Sequence, residues 1–164
     1  MDLIVRRLES GDYDKGFLGL LAQLTTVGDI DKTAFEQRLK EVSSDDYHIA
    51  VVEDKASGKL VGTAALIVER KFIHACGKAS GVAALRMRPA AAEPMRVGHI
   101  EDVVVDQAAR GQRLGQRLIE ELVRVCKEKG CYKVILDCAD HNVAFYEKCG
   151  LTRKEIQMVR YLDR

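Results

Sequence analysis

Residues 98–118, GHIEDVVVDQAARGQRLGQRL, determine how the rest of this chain is interpreted. The apolar run within it predicts a strand over residues 100–105, and a basic turn that contains glycine follows at residues 110–115. Leucines then recur at helical spacing, which predicts a helix over residues 113–129 that Gly130 ends. A strand, an amide-rich turn and a helix N-terminus together form a site for a phosphate or pyrophosphate.

Charged side chains flank this turn on both sides. Two consecutive carboxylates, Glu101 and Asp102, lie on the predicted strand just before it. Within the turn, glycines let backbone amides approach an anion, and Arg110 and Arg113 can pair with phosphate oxygens. A basic helix start with glycines also occurs in ordinary turns, so the motif alone leaves an anion site and a plain turn equally weighted.

The composition is typical of a soluble globular protein. The chain has 164 residues, 47% apolar and 31% charged, so we expect one domain over residues 1–164. The net charge of +1 and the lack of an apolar run of roughly 20 residues predict no nucleic-acid partner and no membrane span. The start MDLIVRRLES lacks a basic segment followed by a long apolar stretch, so no secretory signal is expected.

The cysteines indicate reduced thiols. There are five of them, an odd number, and they show no CxxC spacing, which argues against a zinc site and against a disulfide framework. We therefore expect packing roles for the cysteines, no bound metal, and a cytoplasmic location.

The remaining segments alternate between strand-like and helix-like patterns. Strands are predicted at residues 3–8, 47–53, 59–69, 132–137 (mostly buried) and 155–162, and helices at residues 10–24, 33–42 and 142–148. Thr33 and Glu36 form a predicted capping box, and Gly58 is placed for a positive φ in a hairpin turn. The order β-α-α-β-β-β-α-β-α-β predicts an α+β fold, a mixed sheet with helices packed on it.

Residues 79–96 differ from the rest of the chain. They are rich in Ala and Arg and contain both prolines of the sequence, Pro89 and Pro94, which would interrupt a helix. We expect an extended or mobile loop here, and the alternative is one helical turn over residues 82–87.

The turn resembles a known cofactor loop. Asp106, Arg110 and Gly115, placed between VVV and a leucine-rich helix, resemble the acyl-CoA pyrophosphate loop of the GCN5-related N-acetyltransferase (GNAT) superfamily. That loop reads Gln/Arg-x-x-Gly-x-Gly/Ala, and here Arg113 takes the place of the middle glycine. The resemblance implies the GNAT fold, a mixed and mostly antiparallel sheet with a splayed central strand and helices on both faces.

Five further blocks narrow the resemblance. They are LTTVG (residues 24–28), ERKFIH (69–74), GHIEDVVV (98–105), GCYKVILDC (130–138) and NVAFYEKCG (142–150). In this order they resemble the glucosamine-6-phosphate N-acetyltransferase family, over nearly the whole chain except residues 79–96. The resemblance implies transfer of an acetyl group from acetyl-CoA to the amine of glucosamine 6-phosphate, by direct attack in a ternary complex. It also implies a homodimer whose sugar sites lie at or near the interface.

The resemblance also assigns residues. The implied cofactor residues are Val103, Val104, Val105, Arg110, Gly111, Gln112, Arg113, Leu114, Gly115, Gln116, Asn142 and Tyr146. The implied sugar-phosphate residues are Thr25, Lys71, Phe72, Ile73, His74, Glu101, Asp102, Val103, Tyr132, Lys133, Asp137 and Arg160. The implied catalytic groups are the Tyr146 hydroxyl at the departing sulfur, the Asp137 backbone carbonyl as proton acceptor, and Glu101 with Asp102 at the ammonium.

Two alternatives stay open at this point. One is an acetyltransferase for another amine, against which the basic Lys71 and Lys133 argue, and the other is a binding module without turnover, against which Tyr146, Asp137 and Glu101 together argue. Relative to the family, residues 79–96 are extra chain, either a harmless loop or a flap or dimer contact. An unchanged kcat/KM for the sugar after their deletion would exclude the flap.

Overall fold

The computed structural model describes residues 2–72 and 95–162. Ile73, His74 and residues 79–94 of the predicted loop therefore lie outside the described residues. The strands are β1 (Leu3–Arg7), β2 (Tyr47–Asp54), β3 (Lys59–Arg70), β4 (Arg96–Val105) and β5 (Cys131–Ile135). The α-helices are α1 (Phe17–Leu21), α2 (Lys32–Glu41), α3 (Leu114–Glu128) and α4 (Val143–Lys148), and short 3-10 helices span Ser10–Lys15, Gln107–Ala109 and Asp140–Asn142.

The five strands form one sheet in the order β1-β2-β3-β4-β5. The pairs β1–β2, β2–β3 and β3–β4 are antiparallel, and the pair β4–β5 is parallel. A parallel pair needs a crossover connection, and α3 supplies it. The predicted mixed, mostly antiparallel sheet is confirmed.

Helices pack on both faces of the sheet, as the resemblance implies. On one face α3 buries Leu118, Ile119 and Leu122 completely against β2, β3 and β4, and α4 packs at the edge of this cluster. On the other face α1 and α2 bury Phe17 and Phe35 in a second cluster. This arrangement follows from the period-two alternation of the strands, which points successive side chains to opposite faces.

A largely buried ionic network connects β1 with β2 and with the 3-10 helix before α1. The Arg6 guanidinium donates to both oxygens of Asp12, at 2.8 and 2.6 Å, and its Nε donates to Glu53 at 2.7 Å. Lys15 Nζ pairs with the other oxygen of Glu53 at 2.8 Å. These two cations lower the pKa of Glu53 to about 2. The network keeps the chain in the tight 3-10 helix before α1.

The predicted helix over residues 10–24 is wrong as a single element. It divides at Gly16, whose φ of +89° ends the 3-10 helix, and Leu24, a predicted apolar position, is 47% exposed. The predicted capping box is also misplaced. Asp31 is the N-cap of α2 and accepts a hydrogen bond from Ala34 N at 2.8 Å, so the helix begins one residue before Thr33.

Three other predictions need correction near the chain's second half. β4 begins at Arg96, four residues before its predicted start, because its first residues pair with the end of β3. β5 is mostly exposed rather than mostly buried, since it is the edge strand of the described sheet. The predicted strand over residues 155–162 is absent from the described structure, where this segment is irregular and exposed. Its apolar pattern has no adjacent strand within the described chain to pair with.

Among residues 2–72 and 95–162, no helix combines the length and the apolar character needed to cross a membrane.

Candidate active site

The centre of the candidate site is the point where β4 and β5 separate. Registered pairing between them ends at His99 and Ile135, while β4 continues to Val105. On its other side β4 carries a bulge, because Ala65 pairs with Glu101 and Thr63 with Val104, so that two β4 residues oppose one on β3. Asp102 lies in this bulge with a φ of +51°. The splay leaves backbone groups of β4 without partners from β5.

A polar face lies beside the splay. Residues two apart on a strand share a face, so Glu101 lies on the face of His99, and His99 shares it with its register partner Ile135. Burial, together with the carboxylates of Asp102 and Asp137, raises the pKa of Glu101, and His99 opposes the shift. The carboxylates of Asp102 and Asp137 therefore both act electrostatically on Glu101, and Asp137 comes from the segment just after β5.

Glu69 bridges Lys71 and the imidazole of His99 on this face. Its Oε1 lies 2.5 Å from Lys71 Nζ and its Oε2 lies 2.9 Å from His99 Nε2. Both contacts lower the pKa of the Glu69 carboxyl, the Lys71 contact more strongly. Lys71 is thus connected through Glu69 to His99, which shares a face of β4 with Glu101. Sequence reasoning missed Glu69 and His99, although period-two alternation from Glu101 would have found His99.

Tyr47, at the start of β2, is a further residue that sequence reasoning missed. Burial raises the pKa of its phenol, and the carboxylates of Asp102 and Glu101 add to that shift. Its hydroxyl therefore stays protonated beside the acidic pair and remains able to donate a hydrogen bond. Nothing in the local sequence pattern marks Tyr47 as more than a strand residue.

The three consecutive valines place their backbone, not their side chains, at the splay. Val104 is buried in the cluster beneath α1, and Val103 and Val105 pack against the cluster beneath α3. Leu114 likewise is 2% exposed and belongs to the core. A ligand in the splay can therefore reach only main-chain groups of Val104 and Leu114, while Val103 and Val105 are partly buried.

The turn before α3 has the conformation of an anion-binding loop. Gly111 has a φ of +84°, and Arg113, at the N-cap of α3, has a φ of +59°. Left-handed residues in such a loop turn backbone N–H groups toward one point. The first turn of α3 has no acidic residue that would compete with a bound anion. The side chain of Gln116 donates to Glu120 at 2.8 Å, so it is directed along the helix rather than into the loop.

Tyr146 lies on the far side of the splay, on α4. It is half-buried, and burial together with the nearby thiols of Cys138 and Cys149 raises the pKa of its phenol. Asn142 ends the 3-10 helix that leads into α4. Asp137 Oδ2 accepts a hydrogen bond from Gln157 Nε2 at 2.9 Å, so the C-terminal segment contacts the site through this residue.

The other predicted sugar-phosphate residues are less closely grouped. Thr25 follows α1 and is exposed, and Phe72 is 91% exposed just after β3. On β5, Lys133 Nζ lies 5.7 Å from the centroid of the Tyr132 ring, in a cation–π contact. Arg160 lies in the exposed C-terminal segment, and no contact within the described chain brings it to the site.

The site residues do not form a metal centre within the described part of the chain. The described residues hold no group of three or more His, Cys, Asp or Glu side chains that could bind a metal ion. The four described cysteines are free thiols, and burial raises the pKa of Cys126 to about 12.

A splayed sheet, a left-handed loop at a helix start and a half-buried tyrosine on the following helix are the features of an acyl-CoA site. The sequence model of the acetyltransferase (GNAT) family matches residues 17–151. The chain therefore belongs to this family of acetyltransferases, and the predicted GNAT fold is confirmed.

Relatives that match over nearly their full length show which acetyltransferases of this family the chain is similar to. The chain is 45% identical to glucosamine 6-phosphate N-acetyltransferase from Arabidopsis thaliana, over 97% of this chain and 96% of that protein. It is 42% identical to the protein of the same name from Candida albicans, over 94% of this chain and 92% of that one. The crystal structure of the Arabidopsis thaliana enzyme matches with a TM-score of 0.86 and 42% identity, over 99% of this chain and 100% of that chain. The family resemblance predicted from the five sequence blocks is confirmed.

Proposed function

We propose that this enzyme transfers the acetyl group of acetyl-CoA to the amine of glucosamine 6-phosphate. The observation that carries the proposal is the 45% identity to an enzyme of that name across 97% of this chain. The polar face beside the splay supports it, because an ammonium group and a phosphate need carboxylates and cations respectively, and both are grouped there.

The donor binds through the loop and the splay. The pyrophosphate of acetyl-CoA lies against backbone amides of residues 111–116, which include Gln112. The side chains of Arg110 and Arg113 form ion pairs with its oxygens. The fit is supported by the left-handed Gly111 and Arg113 and by the absence of acidic residues from the first turn of α3. The pantetheine arm pairs with the β4 backbone over Val103–Val105, and Asn142 contacts it from the other side.

The acceptor amine must be neutral before it attacks. Glu101 and Asp102 hold the sugar ammonium, and the Asp137 backbone carbonyl or a water beside it takes the proton. The nitrogen then forms a bond to the thioester carbon, and a β4 backbone N–H of Val103–Val105 stabilises the oxyanion. Attack occurs directly in a ternary complex, without an acetyl-enzyme.

The leaving thiolate is protonated or hydrogen-bonded by Tyr146. As the carbon–sulfur bond breaks, the electron pair stays on sulfur and the Tyr146 hydroxyl donates to it, while the second proton of the attacking nitrogen leaves to water and balances the proton that CoA gains. The raised pKa of the half-buried phenol supports this role, because the hydroxyl keeps its proton at any physiological pH.

The phosphate is recognised by cations at the rim of the polar face. Lys71 and Lys133 supply point charges and Thr25 supplies a hydroxyl donor, while Phe72 and Tyr132 lie beside these two lysines. Ile73 and His74, which the family resemblance adds, lie outside the described residues. Lys71, held by Glu69 at 2.5 Å, is the cation whose placement the structure supports best.

The active form is a homodimer in which the C-terminal segment of each subunit completes the partner's site. Four side chains of this segment support that assignment, since Ile156, Met158, Val159 and Tyr161 are 69–90% exposed in the single chain. So large an apolar surface is typical of a segment that pairs with another chain. Arg160 would then reach the phosphate of the neighbouring site.

A product and intermediate analysis tests the reaction. Enzyme is mixed with [¹⁴C-acetyl]-CoA alone and divided: one portion is denatured and measured by intact mass spectrometry, and the other, still native, is supplied with glucosamine 6-phosphate. We expect unmodified protein in the first portion and stoichiometric labelled N-acetylglucosamine 6-phosphate in the second. A protein mass increased by one acetyl group that the sugar then discharges would contradict direct attack.

A further inference from the structure

Gly115, the second residue of α3, is a glycine for which the backbone gives no reason. Its φ lies outside the left-handed region, unlike that of Gly111 or Arg113. A glycine inside a helix is destabilising relative to alanine, because it loses more conformational entropy on folding. Its N–H can face an anion whichever side chain the residue carries. The reason for a glycine at this position must therefore be space.

The ring of Phe145 takes up that space. A Cβ added to Gly115 would lie 2.9 Å from Cζ of Phe145, closer than real Cβ atoms approach a neighbour, and 3.3 Å from Cε2, which is tighter than most real contacts. Phe145 belongs to α4, and Gly115 to the first turn of α3 beside the anion loop. The bare Cα of Gly115 is thus the surface on which α4 rests against the start of α3.

The same ring contacts Tyr146. The Phe145 and Tyr146 rings meet edge to face, with centroids 4.9 Å apart and planes 68° apart. α4 has only six residues, none of them fully buried, so few contacts fix its position. A displacement of the Phe145 ring therefore passes directly to the Tyr146 ring.

We propose that Phe145 is a positioning residue: its ring, seated on Gly115, sets the distance of the Tyr146 hydroxyl from the sulfur of bound CoA. This inference rests on the proposed role of Tyr146 at the thiolate. It adds that the start of α3, beside the pyrophosphate loop, meets α4, which carries Tyr146, where Gly115 contacts Phe145, so Gly115 serves the chemistry through Phe145.

The test compares CoA with desulfo-CoA, in which hydrogen replaces the thiol. Dissociation constants from isothermal titration calorimetry give a ratio that reports the sulfur contact without turnover. One hydrogen bond to sulfur predicts that the wild-type protein binds CoA ~3–10-fold more tightly than desulfo-CoA. Loss of pyrophosphate contacts would weaken both ligands equally and leave the ratio unchanged.

Four variants separate the contact from general effects on the fold. Gly115→Ala should bring the ratio close to one, and Phe145→Leu should lower it because the ring edge is lost. Gly115→Ala/Phe145→Leu should restore at least about half of the wild-type discrimination, since leucine vacates the position of Cζ and alanine fills it. Gly19→Ala, in α1 with nothing within 4 Å of its added Cβ, is the matched control and should leave the ratio unchanged.

Tyr146→Phe distinguishes this inference from the proposed function. If Tyr146→Phe does not change the ratio, the role of Tyr146 at the sulfur is wrong and the positioning role falls with it. If Tyr146→Phe lowers the ratio but Gly115→Ala does not, the proposed function stands and the positioning role is overturned. Additive losses in the double variant, with no recovery, would also overturn it.

Discussion

Burial of the Tyr146 phenol, with two thiols nearby, raises its pKa above the ordinary tyrosine value, so this hydroxyl is a proton donor throughout the neutral range. We predict that Tyr146→Phe lowers kcat by ~10²-fold and changes KM for acetyl-CoA by less than about threefold, because a thiolate forms only in the transition state. Steady-state kinetics measure both constants. A raised KM with an unchanged kcat would mean that Tyr146 only binds the donor.

Glu101 places a charge where the fold disfavours it, since burial and the carboxylates of Asp102 and Asp137 raise its pKa. A carboxyl with a raised folded-state pKa destabilises the native state once it ionises, so stability falls as pH rises through that window. We predict that Glu101→Gln raises Tm at pH 7 and that the gain disappears below pH 4.5, the ordinary glutamate value. Activity should fall sharply in the same variant.

Thermal unfolding of wild type and Glu101→Gln between pH 4 and 8 measures this effect. Glu36→Gln on α2 is the control, and the difference between its Tm and that of the wild type should stay near zero across this pH range. A lower Tm for Glu101→Gln at pH 7 would show that Glu101 stabilises the fold rather than serving the substrate.

At the scale of elements, the loop before α3 also contains a residue that destabilises the free protein and is expected to serve ligand binding. Arg113 adds a cation at the positive end of the helix dipole and adopts a left-handed conformation, both of which are unfavourable without a bound anion. Arg113→Gly should therefore stabilise the free protein by ~1 kcal/mol and weaken CoA binding by ~3–10-fold. Urea unfolding and calorimetry measure the two effects.

The charge-matched control is Arg38→Ala, an exposed arginine on α2, which should leave CoA affinity unchanged. Stabilisation of the Arg113→Gly protein without any loss of CoA affinity would contradict a pyrophosphate contact by this side chain.

Elements with strong local signals could be predicted from the sequence. The leucine period of α3, the glycines that end it and α4, and the Tyr146 segment lie in short-range patterns that predict these helices, whereas the strand predicted over residues 132–137 ends at Ile135, before Asp137. What failed depended on distant contacts. The segment over residues 155–162 has a strand pattern but no pairing partner in the described chain, and the 3-10 helix before α1 depends on Arg6 and Glu53, far apart in sequence.

In the candidate site, too, the residues that could not be predicted are those that depend on contacts distant in sequence. Glu101, Asp102 and Lys71 follow from motifs, and His99 could be found by period-two alternation from Glu101, whereas Glu69 and Tyr47 join them only because β2, β3 and β4 are neighbours in the sheet. The role of Gly115 could not be predicted either. Its glycine fits the loop pattern in sequence, and only the fold reveals the Phe145 ring against it.

At the scale of the whole molecule, the proposed dimer can be tested by mixing subunits. Arg160→Ala and Tyr146→Phe are each expected to be nearly inactive at low glucosamine 6-phosphate. If Arg160 acts on the partner's site, a mixed dimer contains one intact site, and random exchange should recover about a quarter of wild-type activity. Recovery is measured after refolding an equimolar mixture, with each variant refolded alone as control. No recovery would place Arg160 in its own subunit's site.

The central claim is that the acceptor is a phosphosugar, and the most direct measurement compares kcat/KM for glucosamine 6-phosphate with kcat/KM for glucosamine, by CoA release at saturating acetyl-CoA. Cationic recognition by Lys71 and its neighbours predicts at least a ~100-fold preference for the phosphorylated sugar, most of which Lys71→Met should abolish. Equal values for the two sugars in the wild-type enzyme would contradict the account.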